Sequence, residues 1–312
     1  MRILLWHVHG AWTTAFVQGA HEYVVPVLPD RGPDGRGRAR TYAWPDSVTE
    51  LSPDALRDEP LDAVLFQRPH ELGLAAEWLG PRALPAVYVE HNAPQGRIDA
   101  MRHPMADRED LTLVHVTHFN ALFWDSGATP VRVVEHGIVD PGPRYTGELP
   151  RAAVVINEAR RRGRVTGTDL LDRFGRAAPL DLFGMDAPAL GGTDLPQADL
   201  HAQMARRRVY LHPIRWTSLG LSLLEAMHLG MPVVALGTTE AHEAVPAGAG
   251  VVSTRLDVLE AALRRLVADA DEAREVGERA REAALARYGL RRFLADWDAL
   301  LASVVPEPAV AR

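Results

Sequence analysis

The chain has 312 residues, 47% of them hydrophobic, with a formal net charge of −7, enough for roughly two domains with cores of their own. It has no cysteine, which excludes disulfides, thiolate metal sites and a cysteine nucleophile. All 34 basic residues are arginine, so a lysine Schiff base is excluded and any phosphate clamp must use guanidinium or backbone groups.

Residues 1–148 carry 13 arginines against 20 acidic residues, a net of −7, while residues 149–312 carry 21 against 21. An acidic surplus confined to the first half argues against a nucleic-acid partner and against a basic membrane-docking face there. The opening run from Met1 turns polar at His7, too short for a signal peptide or a membrane span, and the expected location is cytoplasmic.

In chain order, Arg2 to Val8 reads as a first strand, with the chain turning at Gly10 and a ligand site expected in that turn. His7 and His9 would share one face if the strand reached them; a metal chelate or plain hydrogen bonding fits such a pair, and no third ligand has convincing spacing. Tyr23 to Leu28 is a second apolar run, and the glycines and alternating charges from Asp30 to Arg40 suggest a mobile surface loop. Four further runs follow: Asp62 to Phe66, Ala86 to Val89, Leu111 to Val116 and Val131 to Val134. Their ends bear polar groups, among them Gln67, Arg68 and His70, then Glu90, His91 and Asn92, then Thr117 and His118, then Glu135 and His136. Nine of the 13 histidines lie in residues 1–148. In a parallel sheet such ends gather on one rim, the default site, although each histidine taken singly is also explained as a cap for a neighbouring helix or loop.

The Pro/Gly-rich stretch from Asp140 to Gly147 reads as a linker. Ala152 to Ile156 then begins a second sheet and leads into four arginines within five residues, Arg160 to Arg164, which form either an anion site or a solvated cluster. Pro179 to Gly184 is a further strand, and Gln197 to Arg207 an amphipathic helix.

The most informative stretch runs from Val209 to Pro246. Val209 to His212 reads as a buried strand closed by Pro213; Leu221, Leu224, Met227 and Leu229 recur at helical spacing; Gly230 and Pro232 end the helix; and Val233 to Leu236 is another strand. Thr217 or Ser218 is expected to cap the helix, and Gly220 leaves its free N–H groups open to an anion such as a diphosphate. Glu225, seven residues after Ser218, falls on nearly the same helical face. As a carboxylate among apolar neighbours it needs a partner, either a sugar diol or an arginine. Leu256 to Arg287 and Leu290 to Val304 read as helical, and the chain after Pro306 as a loose tail.

The run Ser218-Leu-Gly-Leu-Ser-Leu-Leu-Glu225-Ala-Met followed by Gly230-Met-Pro-Val-Val-Ala resembles the donor-site signature of GT4-type retaining glycosyltransferases of the GT-B fold. The resemblance implies an α/β protein of two Rossmann-like domains facing each other across a cleft. They would be an acceptor-side domain over 1–145, a nucleotide-sugar donor domain over 146–288, and a final helix over 289–304 crossing back. It implies transfer of a hexosyl-type group from a UDP- or GDP-linked sugar to a small-molecule acceptor, with retention and without metal or other cofactor. Donor contacts would fall on Gly10, Arg162, Arg164, Thr166, Thr217, Ser218, Leu219, Gly220, Leu221 and Glu225, the last binding the ribose. Acceptor contacts would fall on His9, Trp12, Thr13, Arg68 and Asn92, with His91 as the catalytic histidine near the transferred sugar. Two positions depart from the family pattern: Thr217 replaces its first glutamate, and Thr166 stands where it has lysine. A nucleotide-sugar epimerase or hydrolase, or a nucleotide-binding relative without turnover, fits the same pattern.

Overall fold

The computed structural model describes residues 1–306; the tail expected beyond Pro306 lies outside the described residues. The chain forms two compact units, Met1–Gly137 together with the chain from Leu290, and Ile138–Gly289.

The first unit contains β1 (Arg2–Leu5), α1 (Gly10–Phe16), β2 (Glu22–Pro26), β3 (Val48–Leu51), α2 (Pro53–Leu56), β4 (Ala63–Phe66), α3 (Glu71–Leu79), β5 (Ala86–Glu90), β6 (Thr112–His115), α4 (His118–Phe123) and β7 (Val131–Val133). The strands form one parallel sheet in the order β3-β2-β1-β4-β5-β6-β7. The order reverses between β1 and β4, the crevice where such sheets bind ligands outside their carboxyl ends. β1 stops at Leu5, short of the expected Val8, so His7 and His9 leave the sheet in a loop and do not share a strand face.

The segment expected to be a mobile loop, 30–40, is instead tied down, because its alternating charges find partners. Arg31 donates twice to Glu50 at 2.9 Å, and Arg38 donates to the carbonyls of Trp44 and Pro45 at 2.9 and 3.1 Å. The Gly37 carbonyl accepts from His7 Nδ1 at 3.0 Å, and Trp44 Nε1 donates to Thr14 Oγ1 at 2.8 Å.

The second unit contains β8 (Leu149–Val155), α5 (Ala159–Arg162), α6 (Leu171–Gly175), β9 (Leu180–Phe183), α7 (Gln197–Arg206), β10 (Arg207–His212), α8 (Leu221–Leu229), β11 (Val233–Leu236), α9 (Ala241–Ala244), β12 (Gly250–Ser253), α10 (Leu256–Ala268) and α11 (Ala270–Tyr288). Its parallel sheet has the order β12-β11-β10-β8-β9, with the reversal between β8 and β10. Side-chain alternation divides the core cleanly. Ala153, Val155, Tyr210, Val233 and Ala235 pack on the α8 side, while Val154, Val209, Leu211 and Val234 face the opposite side with Leu259 and Leu263 of α10. The run expected to be helical over Leu256 to Arg287 is two helices. Asp269 breaks it, its Oδ1 accepting the N–H groups of Asp271 and Glu272 at 3.0 and 2.9 Å as the cap of α11. The last helix, α12 (Leu290–Val304), belongs to the first unit, where Phe293 and Trp297 pack edge-on to Trp12.

Candidate functional site

At the reversal in the second sheet, the loops after β8 and β10 are joined. The Val165 carbonyl accepts the N–H groups of Arg215 and Trp216 at 2.9 and 3.1 Å, and the Arg164 carbonyl accepts from the Arg215 guanidinium at 2.8 Å. Gly167, at φ 74°, backs onto the Pro213 carbonyl so closely that a Cβ would lie 1.9 Å from it. No other residue fits there.

The four arginines of the first loop have different fates. Arg160 donates to the Ala189 carbonyl at 2.9 Å, Arg161 pairs with Glu158 at 2.9 Å, and Arg164 pairs with Asp169 at 3.0 Å. Arg162, half-buried at the end of α5, makes no ion pair among the described residues. Burial lowers its pKa, and the neighbouring Arg161 lowers it further. A guanidinium in that state is best satisfied by an incoming anion. Thr166, by contrast, is fully buried, its hydroxyl donating to the Gly163 carbonyl at 3.2 Å and lying 3.1 Å from that of Thr168. These contacts hold the loop together.

α8 begins at Leu221 with Gly220 as its N-cap, so neither Thr217 nor Ser218 is itself the cap residue. The absent side chain at Gly220 has a packing reason: a Cβ there would come 2.5 Å from His212 Cε1. Thr217 is half-buried, Ser218 and Leu219 are buried, and Leu219 joins the core. Gly220, Leu221 and Ser222 stay partly open at the helix start, where first-turn N–H groups have no partner within the helix. Glu225 is 6% exposed and, among the described residues, forms no ion pair with an arginine. Gln197 Nε2 donates to its Oε1 at 2.9 Å, and His201 Nε2 lies 3.4 Å from its Oε2. Beside it, Tyr210 donates to Ser222 Oγ at 2.8 Å.

On the rim of the first sheet, the His9 and His91 rings are 4.1 Å apart, and Trp12 sets its edge against His91 at 4.9 Å. Burial holds these imidazoles neutral: His9 falls to about 4, His136 to about 3, and His91 well below its ordinary value with His9 and His136 adding to the effect. Trp12 and Thr13 are fully buried, and the Trp12 ring packs against His91. Gly10 begins α1 with the Tyr42 ring against it. Arg68 is engaged by Glu71 at 2.7 Å and Asp34 at 3.1 Å. His7 turns away to Gly37, so it and His9 form no chelate.

Asn92 is fixed by a buried network that sequence reasoning missed. Glu90 Oε1 accepts both the backbone N–H and the side-chain amide of Asn92, at 2.6 and 3.0 Å, and Glu90 Oε2 accepts from His103 Nε2 at 2.9 Å. His103 Nδ1 accepts the Met105 N–H at 3.0 Å, so the ring proton sits on Nε2 and points at Glu90. The only sequence signal was the alternation Glu90-His91-Asn92 at a strand end. His103 is thirteen residues away in a run with no periodicity, as Gln197 and His201 are distant from Glu225.

Two all-parallel Rossmann-type units, each with its polar groups gathered at the carboxyl ends of its strands, define a protein of the GT-B fold. Residues 192–283, from just ahead of α7 into α11, match the family described as glycosyl transferases group 1. No curated protein matches the chain. Among solved structures, it resembles a sucrose-phosphate synthase from Thermosynechococcus elongatus (13% identity, TM-score 0.72, covering 97% of this chain and 98% of that one). It also resembles Anabaena HepE in complex with UDP-glucose (15% identity, TM-score 0.67, covering 97% and 100%). A third likeness is to S. aureus TarM, whose complex holds UDP (12% identity, TM-score 0.64, covering 77% of this chain); the chain spans 55% of that protein's length. At these identities the likeness is one of fold. No helix among the described residues is long and apolar enough to cross a membrane.

Proposed function

We propose that the protein transfers a glycosyl group from a nucleoside diphosphate sugar, UDP- or GDP-linked, to a small-molecule acceptor, retaining anomeric configuration and using no bound metal. The second unit binds the donor: the diphosphate between Arg162 and the start of α8, the ribose on Glu225. The first unit recognises the acceptor through the rim around His9, His91 and Asn92. In the reaction the bond from the anomeric carbon to the diphosphate oxygen breaks, the acceptor oxygen bonds to that carbon on the same face, and the acceptor proton passes to the departing phosphate. Stabilising the leaving group by a guanidinium and helix N–H groups then matters more than a dedicated base. His91, held neutral, hydrogen-bonds a hydroxyl of the transferred sugar and is assigned the catalytic role.

The observation that carries this reading is Arg162, a half-buried cation with no ion-pair partner among the described residues, on the loop stitched to the one that leads into α8. Its test is incubation with a panel of UDP- and GDP-sugars, with and without acceptors, alongside calorimetric titration of UDP and GDP. Donor consumption that depends on an acceptor is expected. Consumption without an acceptor would instead mean an epimerase or hydrolase. Nucleotide binding with no consumption would favour a relative without turnover, the reading supported by Thr217 in place of the family's first glutamate.

A further inference from the structure

A carboxylate 6% exposed, set in the apolar turns of α8, is stable only with hydrogen-bond donors around it. Both polar groups set against Glu225 come from α7, and one of them, Gln197, donates a hydrogen bond to it. Gln197 and His201 are four residues apart and so stand on one face of that helix, one turn above the other. Each addresses a different oxygen, Gln197 Nε2 donating to Oε1 at 2.9 Å and His201 Nε2 lying 3.4 Å from Oε2. A carboxylate oxygen has two lone-pair directions. Gln197 occupies one direction on Oε1 and the His201 imidazole stands beside Oε2, which leaves each oxygen a direction free, the acceptor pattern a vicinal diol requires. An arginine in their place would fork across both oxygens and compete with the diol for them.

We infer that Gln197 and His201 are positioning residues for nucleotide recognition: they orient the Glu225 carboxylate so that it accepts both ribose hydroxyls, and so set a preference for ribonucleotides over 2′-deoxyribonucleotides. This rests on the donor-site reading above and extends it to residues outside the signature helix.

The test is calorimetric titration of UDP and GDP, and of their 2′-deoxy counterparts, into the full-length wild type and into His201→Ala, Gln197→Ala and His201→Gln, with thermal melts of each variant. The wild type should bind the ribonucleotide at least about tenfold more tightly than the deoxy form, the size of one hydrogen bond to a charged group. His201→Ala and Gln197→Ala should narrow that ratio to about threefold or less by weakening the ribonucleotide alone, and His201→Gln, which keeps an N–H donor, should restore it. Gln197 is half-buried in the first turn of α7, so its truncation tests the point even if His201→Ala folds poorly. Equal weakening of both forms, or an unchanged ratio, would overturn the inference while leaving the donor site standing. A wild type that binds neither diphosphate would overturn the donor-site reading itself, and this inference with it.

Discussion

The two strand-end rims solve opposite electrostatic problems. In the first unit the rim is built of imidazoles that burial keeps neutral, floored by Trp12 and backed by a Glu90–His103 pair that fixes Asn92. In the second unit the rim presents Arg162, which has no ion-pair partner among the described residues, on a loop hydrogen-bonded to the one that leads into α8. Neutral donors and acceptors suit hydroxyl groups, whereas a half-buried guanidinium suits an anion. The same sheet architecture therefore supports two recognition chemistries, chosen by which polar residue ends each strand.

The sharpest way to break the comparison is to remove the imidazole. His91→Gln should lower kcat about a hundredfold while shifting the melting temperature by only a few degrees; steady-state kinetics beside thermal melts would show it, and a matched loss in both would reduce His91 to packing. Next, Arg162→Ala should weaken UDP about ten- to a hundredfold and leave uridine unchanged, as expected for lost charge-assisted hydrogen bonds. Arg161→Ala, whose guanidinium is exposed and already paired with Glu158, should change UDP affinity by less than about twofold. Calorimetry on both variants distinguishes one anion ligand from a diffuse basic cluster.

A third contrast concerns Gly220. If its role is to admit His212, Gly220→Ala should destabilise the protein by about 1–3 kcal/mol through overpacking, measured by denaturant titration, and a second substitution, His212→Ala, should recover most of that. A further contrast appears in acid. The ordinary histidine value is 6.5, and folding depresses His9 to about 4 and His136 to about 3. Above pH 6.5 both states are neutral and nothing is lost. As pH falls from 6.5 to about 4 for His9, and to about 3 for His136, the imidazole takes up its proton only in the unfolded chain, so each lowers stability by about 1.4 kcal/mol per pH unit across its own window. His136→Gln should flatten the measured slope by about one proton.

Much of the second rim was legible in the sequence because its signals are local. The run Val233 to Leu236 is observed as β11, helical spacing from Leu221 to Leu229 matches α8, and Gly230 ends that helix at φ 89°. What could not be read were relations across distance. Gly220 looks like an opening for a ligand until His212 is seen against it. The charges of 30–40 look solvated until Glu50 receives Arg31 and the Arg38 N–H. Four consecutive-looking arginines become one candidate only when Ala189, Glu158 and Asp169 have claimed the others. β12, four residues beginning at Gly250, is too short for a periodic signal.

The Val165 carbonyl, shared by the N–H groups of Arg215 and Trp216, has a practical consequence for redesign. The arginine-bearing loop and the segment entering α8 form one mechanical piece. Grafting a different anion-binding loop at 157–168 onto this scaffold would therefore require residues 213–217 to be transplanted with it, and a length change in either would be transmitted directly to the other.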